Sequence, residues 1–309
     1  MDETWIDLAD FWPEFGAVGT IVLAAVFATT RVVRRLRADA NTDTADRQTS
    51  GLTKLVSRVL TLHDEIYDRI AGVHPHRRPW HSQWLSVKDL YSDLGRVLPA
   101  LRGQFLDVGC RTKPYASWMK SVDRHVGLDV VAGSAVDYMI EPGKPWPLET
   151  GAYQSALCSQ VLQVVQEPAQ LLAELDRVLT VGGLAVISAP FCYNDMSHPL
   201  SNGGTNKDYW RFSQHGLAQL LSPRFEIVEI KTQGGLGSTI GVKFLNWISI
   251  TMRRRIGTNL VFAAMLPVWV PFCLLVNAAG WCVDRIDTTG LCYHNVFAVV
   301  RKREIAPRS

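Results

Sequence analysis

Apolar residues change their spacing along this 309-residue chain, and the changes mark the elements. Short apolar runs at Phe105 to Val108, His125 to Val130, Val136 to Ile140, Ser155 to Cys158, Leu184 to Ala189, Phe225 to Ile230 and Asn295 to Arg301 have strand length. Elsewhere the period is helical. Leu52, Leu55, Val56, Val59 and Leu60 share one helical face, as do Leu85, Leu90, Leu94 and Leu98. The clearest helix follows Pro168, with Leu171, Leu172, Leu175, Val178 and Leu179 on one side and Gly182 and Gly183 expected to stop it. Strands alternating with helices predict an α/β fold: a doubly wound, mostly parallel sheet covered on both faces.

Two apolar stretches exceed what such a sheet needs. From Phe11 to Thr30 the only charge is Glu14, and a helix over that span would be about 30 Å long, the thickness of a bilayer core. Acidic residues precede it (Asp2, Glu3, Asp7, Asp10) and Arg31, Arg34, Arg35 and Arg37 follow, which by the positive-inside rule leaves the rest of the chain in the cytoplasm. A signal peptide would carry its positive charge before the apolar run. A buried helix of a soluble protein is the alternative, but Gly16, Val18, Ile21, Ala24, Ala25 and Phe27 leave no polar face. The second stretch, Ile256 to Val283, is also free of charge. One crossing there would put the last strand on the wrong side, so Pro267 and Pro271 are expected to break the segment into a hairpin that returns to the cytoplasmic face. Residues 238–252, with Lys243 and Trp247, would lie in the interface beside it. A hydrophobic subdomain covering the sheet, or a dimer contact, is the alternative. The expected organisation is a membrane segment (1–37), a polar linker (38–50), a cofactor domain (51–233), a hydrophobic insertion (234–290) and a last strand with a basic tail (291–309).

Composition narrows the partners. A net charge of +3, from 32 basic and 29 acidic residues, gives no reason to expect nucleic acid, and no run interleaves basic with aromatic residues. The six cysteines are scattered without a C-x-x-C pair, which reads as reduced thiols and no zinc site. His74, His76 and His81 alternate with arginine and proline, far from other ligands, so they read as a solvated, partly structural segment and not a metal site.

Candidate chemistry gathers at the strand ends, where an open parallel sheet binds ligands. Asp107 closes the first run, and Gly109 lets the backbone turn tightly beside a ligand. Asp129 closes the second run, where a carboxylate can accept from both hydroxyls of a ribose, and Glu141 follows the third. Gly109 is the only glycine in a window where a dinucleotide site needs G-x-G-x-x-G. The succession L-D-V-G-C-R-T-K-P-Y, G-L-D-V, C-S-Q-V-L-x-x-V-x-x-P, R-V-L-x-x-G-G-L-x-V-I-S-A-P-F and D-Y-W-R-F-S, across roughly residues 85–232, resembles the class I S-adenosylmethionine-dependent methyltransferases, in the type 11-like subgroup. The resemblance implies a Rossmann-like sheet with an antiparallel last strand and S-adenosylmethionine as cofactor. It also implies Asp107 and Gly109 along the methionine, Asp129 at the ribose, Glu141 near the adenine amine, and Ser159 and Gln160 bordering the cofactor. Four positions depart from the family. Arg111 replaces a second glycine, Gln154 a common aspartate, and Gln163-Val164 a common Glu-His pair.

Methyl transfer is served mainly by positioning, so no catalytic residue is demanded. An oxygen nucleophile would gain from a base on the loop from Phe191 to Phe212, where His198, Asp208 and Tyr209 are candidates and Ser201 to Asn206 reads as a lid. Asp208 with Arg211 is equally readable as a structural ion pair. The resulting expectation is a membrane-tethered methyltransferase acting on a membrane lipid or lipid-linked acceptor at the cytoplasmic face of the cell membrane. The alternative is a degenerate methyltransferase fold serving as a scaffold.

Overall fold

The computed structural model describes residues 77–199, 205–253 and 265–304, together with Arg58, Thr61, Glu65 and Phe262. The expected membrane helix at 11–30 and the linker at 38–50 lie outside these residues, as does most of the expected helix at 52–60. The described parts form two compact units, Ser86–Ile240 with Gly280–Ser309, and Met1–Leu85 with Gly241–Ala279.

The larger unit is built on seven strands: β1 (Gly103–Val108), β2 (Val122–Asp129), β3 (Tyr138–Met139), β4 (Tyr153–Ser159), β5 (Leu179–Pro190), β8 (Phe225–Gln233) and β9 (Asn295–Lys302). Two short strands, β6 (His198–Pro199) and β7 (Thr205–Asn206), pair separately. The sheet runs β3-β2-β1-β4-β5-β9-β8, with β9 antiparallel to β5 and β8 and every other pair parallel. Side chains alternate between two buried clusters, which is why these strands read as continuous apolar runs. Leu106, Val108, Ala156, Cys158, Ile187 and Ala298 lie in one cluster, while Phe105, Leu157, Val186, Phe297 and Val299 lie in the other. Helix α2 (Pro168–Val178) and helix α3 (Gln214–Leu221) cover the first cluster through Leu172, Leu175, Leu217 and Leu221. Helix α1 (Trp84–Val97) supplies Leu90 and Leu94 to the second.

Two expectations are corrected here. Gly182 and Gly183 do not stop α2, which ends at Val178 and passes directly into β5. They lie inside β5, where Gly182 takes φ +77° and the pairing with β4 shifts between Tyr153 and Ser155. The pair makes an irregularity in a strand, a position that glycine also marks. Nor does Pro271 break the second apolar stretch, because helix α5 runs unbroken over Leu266–Ile286 with Pro271 inside it. Pro267 stands in its first turn, where an amide proton is not needed, so Pro271 alone forgoes a ladder bond.

The smaller unit packs Leu245 of helix α4 (Leu236–Arg253) with Trp80, Phe262, Leu266, Trp269, Val270 and Cys273. Asn277 donates to the carbonyls of Pro79 and His81. His81 is structural, as its Nδ1 accepts from the amide of Gln83 at 2.9 Å. Burial, aided by Arg78, lowers its pKa to about 4. The folded state thus resists a proton that the unfolded chain takes up near 6.5. Stability is therefore expected to fall as pH drops from about 6.5 to about 4, by up to about 1.4 kcal/mol per pH unit. Denaturant titrations across that range should show the loss in the native chain and a smaller loss in His81→Asn, whose carbonyl can still accept from Gln83.

Candidate functional site

Strand order reverses between β1 and β4, and a cavity of about 1090 Å³ opens at the carboxyl ends of the strands there. Asp107, Gly109, Asp129, Glu141, Ser159 and Gln160 all line it. These six residues, far apart in sequence, converge on one space because each follows or closes a strand of the same sheet.

The loop after β1 is shaped by hydrogen bonds and one steric necessity. Gly109 has φ +72°, and a Cβ placed there would stand 2.6 Å from Cγ2 of Val161. Its amide and that of Cys110 both donate to the carbonyl of Leu128, at 2.7 and 3.2 Å, tying the turn to the end of β2. Arg111 follows at φ +46°, the left-handed conformation for which the family commonly uses glycine. Holding a side chain there costs about 1–2 kcal/mol. The Arg111 amide donates to Oδ2 of Asp129 at 2.9 Å, a charge-assisted bond that offsets part of the strain. Lys113, at φ +52°, is held by its ammonium, which donates to Asp137 at 2.6 Å and to the carbonyl of His125 at 3.0 Å. Arginine at position 111 thus keeps the turn instead of abolishing it.

Asp129 organises this loop as well as facing the cavity. Its Oδ1 accepts from the amides of Val130 (2.7 Å) and Val131 (3.2 Å), and its Oδ2 from Arg111. A carboxylate offers about four acceptor positions, so one remains for a ligand hydroxyl while all three amides stay bonded. Asp107 is buried and meets Nε2 of His125 at 3.1 Å; burial pushes its pKa up and the contact with His125 opposes the rise. Glu141 is exposed and paired with Lys144 at 2.6 Å. Ser159 shares a hydrogen bond with Ser188 at 2.8 Å. Gln160 takes φ +58°, and its side-chain amide donates to Ser188 and to Asn295.

Of the candidate bases, Tyr209 lines the cavity and is 45% exposed. Asp208 is not available: its carboxylate is bound by Arg211 at 2.5 and 2.6 Å and accepts from the amide of Met196. His198 lies in β6, and its side chain falls outside the described residues, as does most of the expected lid at 201–206. The D-Y-W-R-F segment docks on the turn after β4. The amides of Tyr209 and Trp210 donate to the carbonyl of Gln163, and the Trp210 indole to that of Val165 at 2.9 Å.

Gln154 sits at the other end of the sheet, where its Oε1 accepts from the amide of Gln104 at 2.7 Å, so that departure from the family does not touch the cavity. Gln163 does touch it. Its side chain is buried and donates to the carbonyl of Gln160, while its Oε1 is without a partner among the described residues. Sequence reasoning missed Tyr115, His294 and Asn295, which also line the cavity. Tyr115 stands within the quoted motif, which is the signal that could have found it. His294 and Asn295 carry no such signal, because only strand pairing brings β9 beside β5 and β8.

The sheet order, the turn after β1 and the carboxylate closing β2 define a Rossmann-like class I methyltransferase fold. Residues 106–187, from within β1 to within β5, match the family model Methyltransf_11, described as a methyltransferase domain. Solved structures similar to the chain include three methyltransferases. They are an S-adenosylmethionine-dependent methyltransferase from Mesorhizobium loti (14% identity, 72% of this chain and 98% of that one, TM-score 0.40), a putative methyltransferase from Bacillus halodurans (14%, 70% and 100%, 0.41) and a putative S-adenosylmethionine-dependent methyltransferase from Listeria monocytogenes (12%, 71% and 99%, 0.44). Among curated proteins none matches the sequence.

This fold implies S-adenosylmethionine as cofactor, and the donor set fits it. Asp129 keeps one acceptor position open, and Asp107, Ser159 and Gln160, whose Oε1 has no partner among the described residues, add polar atoms to the cavity wall, a set that suits a molecule carrying hydroxyl and ammonium groups.

Proposed function

We propose that the chain is a membrane-tethered methyltransferase that moves a methyl group from S-adenosylmethionine to a membrane-associated acceptor, a lipid-linked glycan or an isoprenoid lipid, at the cytoplasmic face. The observation that carries the transfer reading is the convergence of Asp107, Gly109, Asp129, Glu141, Ser159 and Gln160 on one cavity at the strand-order reversal. Membrane placement draws support from α5, a helix of 21 residues whose most apolar 18-residue stretch has a mean hydropathy of 1.7, long and apolar enough to span a bilayer. It also draws on α4, which exposes Phe244, Trp247 and Ile250 beside Lys243.

When bound, S-adenosylmethionine supplies a methyl carbon on a positively charged sulfur, and the sulfur leaves neutral with the bonding electrons. The protein therefore needs no acid for the leaving group. Its work is to hold an acceptor atom in line with that carbon and to exclude water. An oxygen acceptor must also lose a proton, which can pass to solvent, and the Tyr209 hydroxyl, which lines the cavity, is the candidate group to accept a hydrogen bond from it and orient it.

The test is incubation of the purified chain with a membrane lipid extract and methyl-labelled S-adenosylmethionine, with Asp129→Ala as control. Label should enter one lipid fraction and be absent with the variant. Label confined to water-soluble material would overturn the acceptor class, and no label in any fraction would count against transfer itself.

A further inference from the structure

A line of buried amides runs from α1 to the cavity. Asp93 of α1 accepts from Nε2 of Gln233 at 2.6 Å. Gln233, at the end of β8, accepts through Oε1 from Nδ2 of Asn295 at 2.6 Å. Asn295, opening β9, accepts through Oδ1 from Nε2 of Gln160 at 2.9 Å. Asp93, Gln233 and Asn295 are 6%, 3% and 4% exposed, so water cannot stand in for a missing partner along this line. Of the four, Gln160 and Asn295 line the cavity.

Each amide in such a line can face either way, and the direction of one fixes the next. The end group decides the sense. Asp93 can only accept, and its other oxygen, Oδ1, is already occupied by Lys231 and Arg96. Gln233 must therefore point its nitrogen at Asp93 and its oxygen at Asn295. Asn295 must then point its oxygen at Gln160, whose nitrogen is used on Asn295 and Ser188. The remaining atom, Oε1 of Gln160, has no partner among the described residues, and it is an acceptor.

We propose that Asp93, Gln233 and Asn295 are positioning residues that fix Gln160 with its carbonyl toward the cavity, so that the ligand group bound there is a hydrogen-bond donor or a cation. This rests on the methyltransferase reading for the nature of the ligand but not for the direction of the line, which follows from the carboxylate alone. The strained φ of +58° at Gln160 is consistent with a residue held in place by its partners.

The inference makes a specific demand on Asp93→Asn. Its single carbonyl oxygen stays with Lys231 and Arg96, so its amide nitrogen faces Gln233. Gln233, Asn295 and Gln160 must then all reverse, and Gln160 presents N–H to the cavity. The double variant Asp93→Asn with Gln160→Glu restores an acceptor there, because the introduced carboxylate accepts from Asn295 with one oxygen and keeps the other for the ligand. Gln160→Glu alone leaves two acceptors facing each other somewhere along the line.

Calorimetric titration with S-adenosylhomocysteine reads the outcome. Relative to the native chain, Asp93→Asn should bind about tenfold to a hundredfold more weakly, Gln160→Glu should lose stability through its facing acceptors, and the double variant should recover most of both losses. Losses that simply add, or native affinity in Asp93→Asn, would overturn the proposal. Should a single variant be too unstable to titrate, melting temperatures serve instead. A double variant that melts above the less stable single variant supports the line, and one that melts no higher refutes it. A native chain that binds no S-adenosylhomocysteine would count against the methyltransferase reading, while the melting comparison would still judge the line of amides.

Discussion

Asp129→Ala is expected to lose S-adenosylhomocysteine affinity by at least about a hundredfold, because one carboxylate serves two purposes. It offers the acceptor position that faces the cavity, and it holds the amides of Arg111, Val130 and Val131. A hydrogen bond to a charged group contributes about 1.5–3 kcal/mol, so losing the ligand contact alone gives roughly a tenfold to a hundredfold loss. Loop disorder adds to that. Arg111 would keep its left-handed strain and lose the bond that offsets part of it. The stability cost should be smaller, about 1–2 kcal/mol, since these amides are near the surface and water can replace the carboxylate. Asp129→Asn separates the two purposes. Its oxygen can still serve Val130 and Val131, but its NH₂ faces the Arg111 amide, so stability should partly return while binding does not. Calorimetry and melting curves on the same samples check both. Native-like affinity in Asp129→Ala would remove Asp129 from the site.

The same residues show what could be read from sequence and what could not. The strands were legible because a parallel sheet buried on both faces leaves continuous apolar runs, and the strand-end carboxylates were legible because the fold puts ligands there. Local conformation was less so. Gly182 and Gly183 follow a helical stretch closely enough to pass for a stop signal, yet α2 needs none, since Leu179 is already extended as the first residue of β5. Pro271 reads in the sequence as a helix break, but a proline within an apolar helix forgoes only one ladder bond there. Asp208 carries both readings in the sequence, and the short contacts to Arg211 decide for the ion pair. The line from Asp93 to Gln160 was not legible at all. Its bonded neighbours are separated by up to 140 positions and meet only through the pairing of β8 with β9 and the packing of α1.

Gly109→Ala should be the most damaging single-methyl change in the cofactor loop, and Arg111 supplies the comparison that explains why. Both residues have positive φ, +72° and +46°, so backbone strain of about 1–2 kcal/mol applies to any side chain at either position. Arg111 tolerates it because its side chain is exposed and its amide is bonded to Asp129. Gly109 has no such space. A Cβ there would stand 2.6 Å from Cγ2 of Val161, and a valine, stiff at χ1, cannot easily turn away. Strain and overpacking together should cost about 2–4 kcal/mol, lowering the melting temperature by roughly 5–15 °C. Arg111→Gly should stay within about 1 kcal/mol of the native chain, because relief of strain is balanced by the extra freedom of glycine in the unfolded state. Adding Val161→Ala to Gly109→Ala removes the clash but not the strain, so it should recover some of the lost melting temperature and no more. If Gly109→Ala melts within about 2 °C of the native chain, the turn has room that the Val161 contact denies, and the tight backbone approach assigned to Gly109 is wrong.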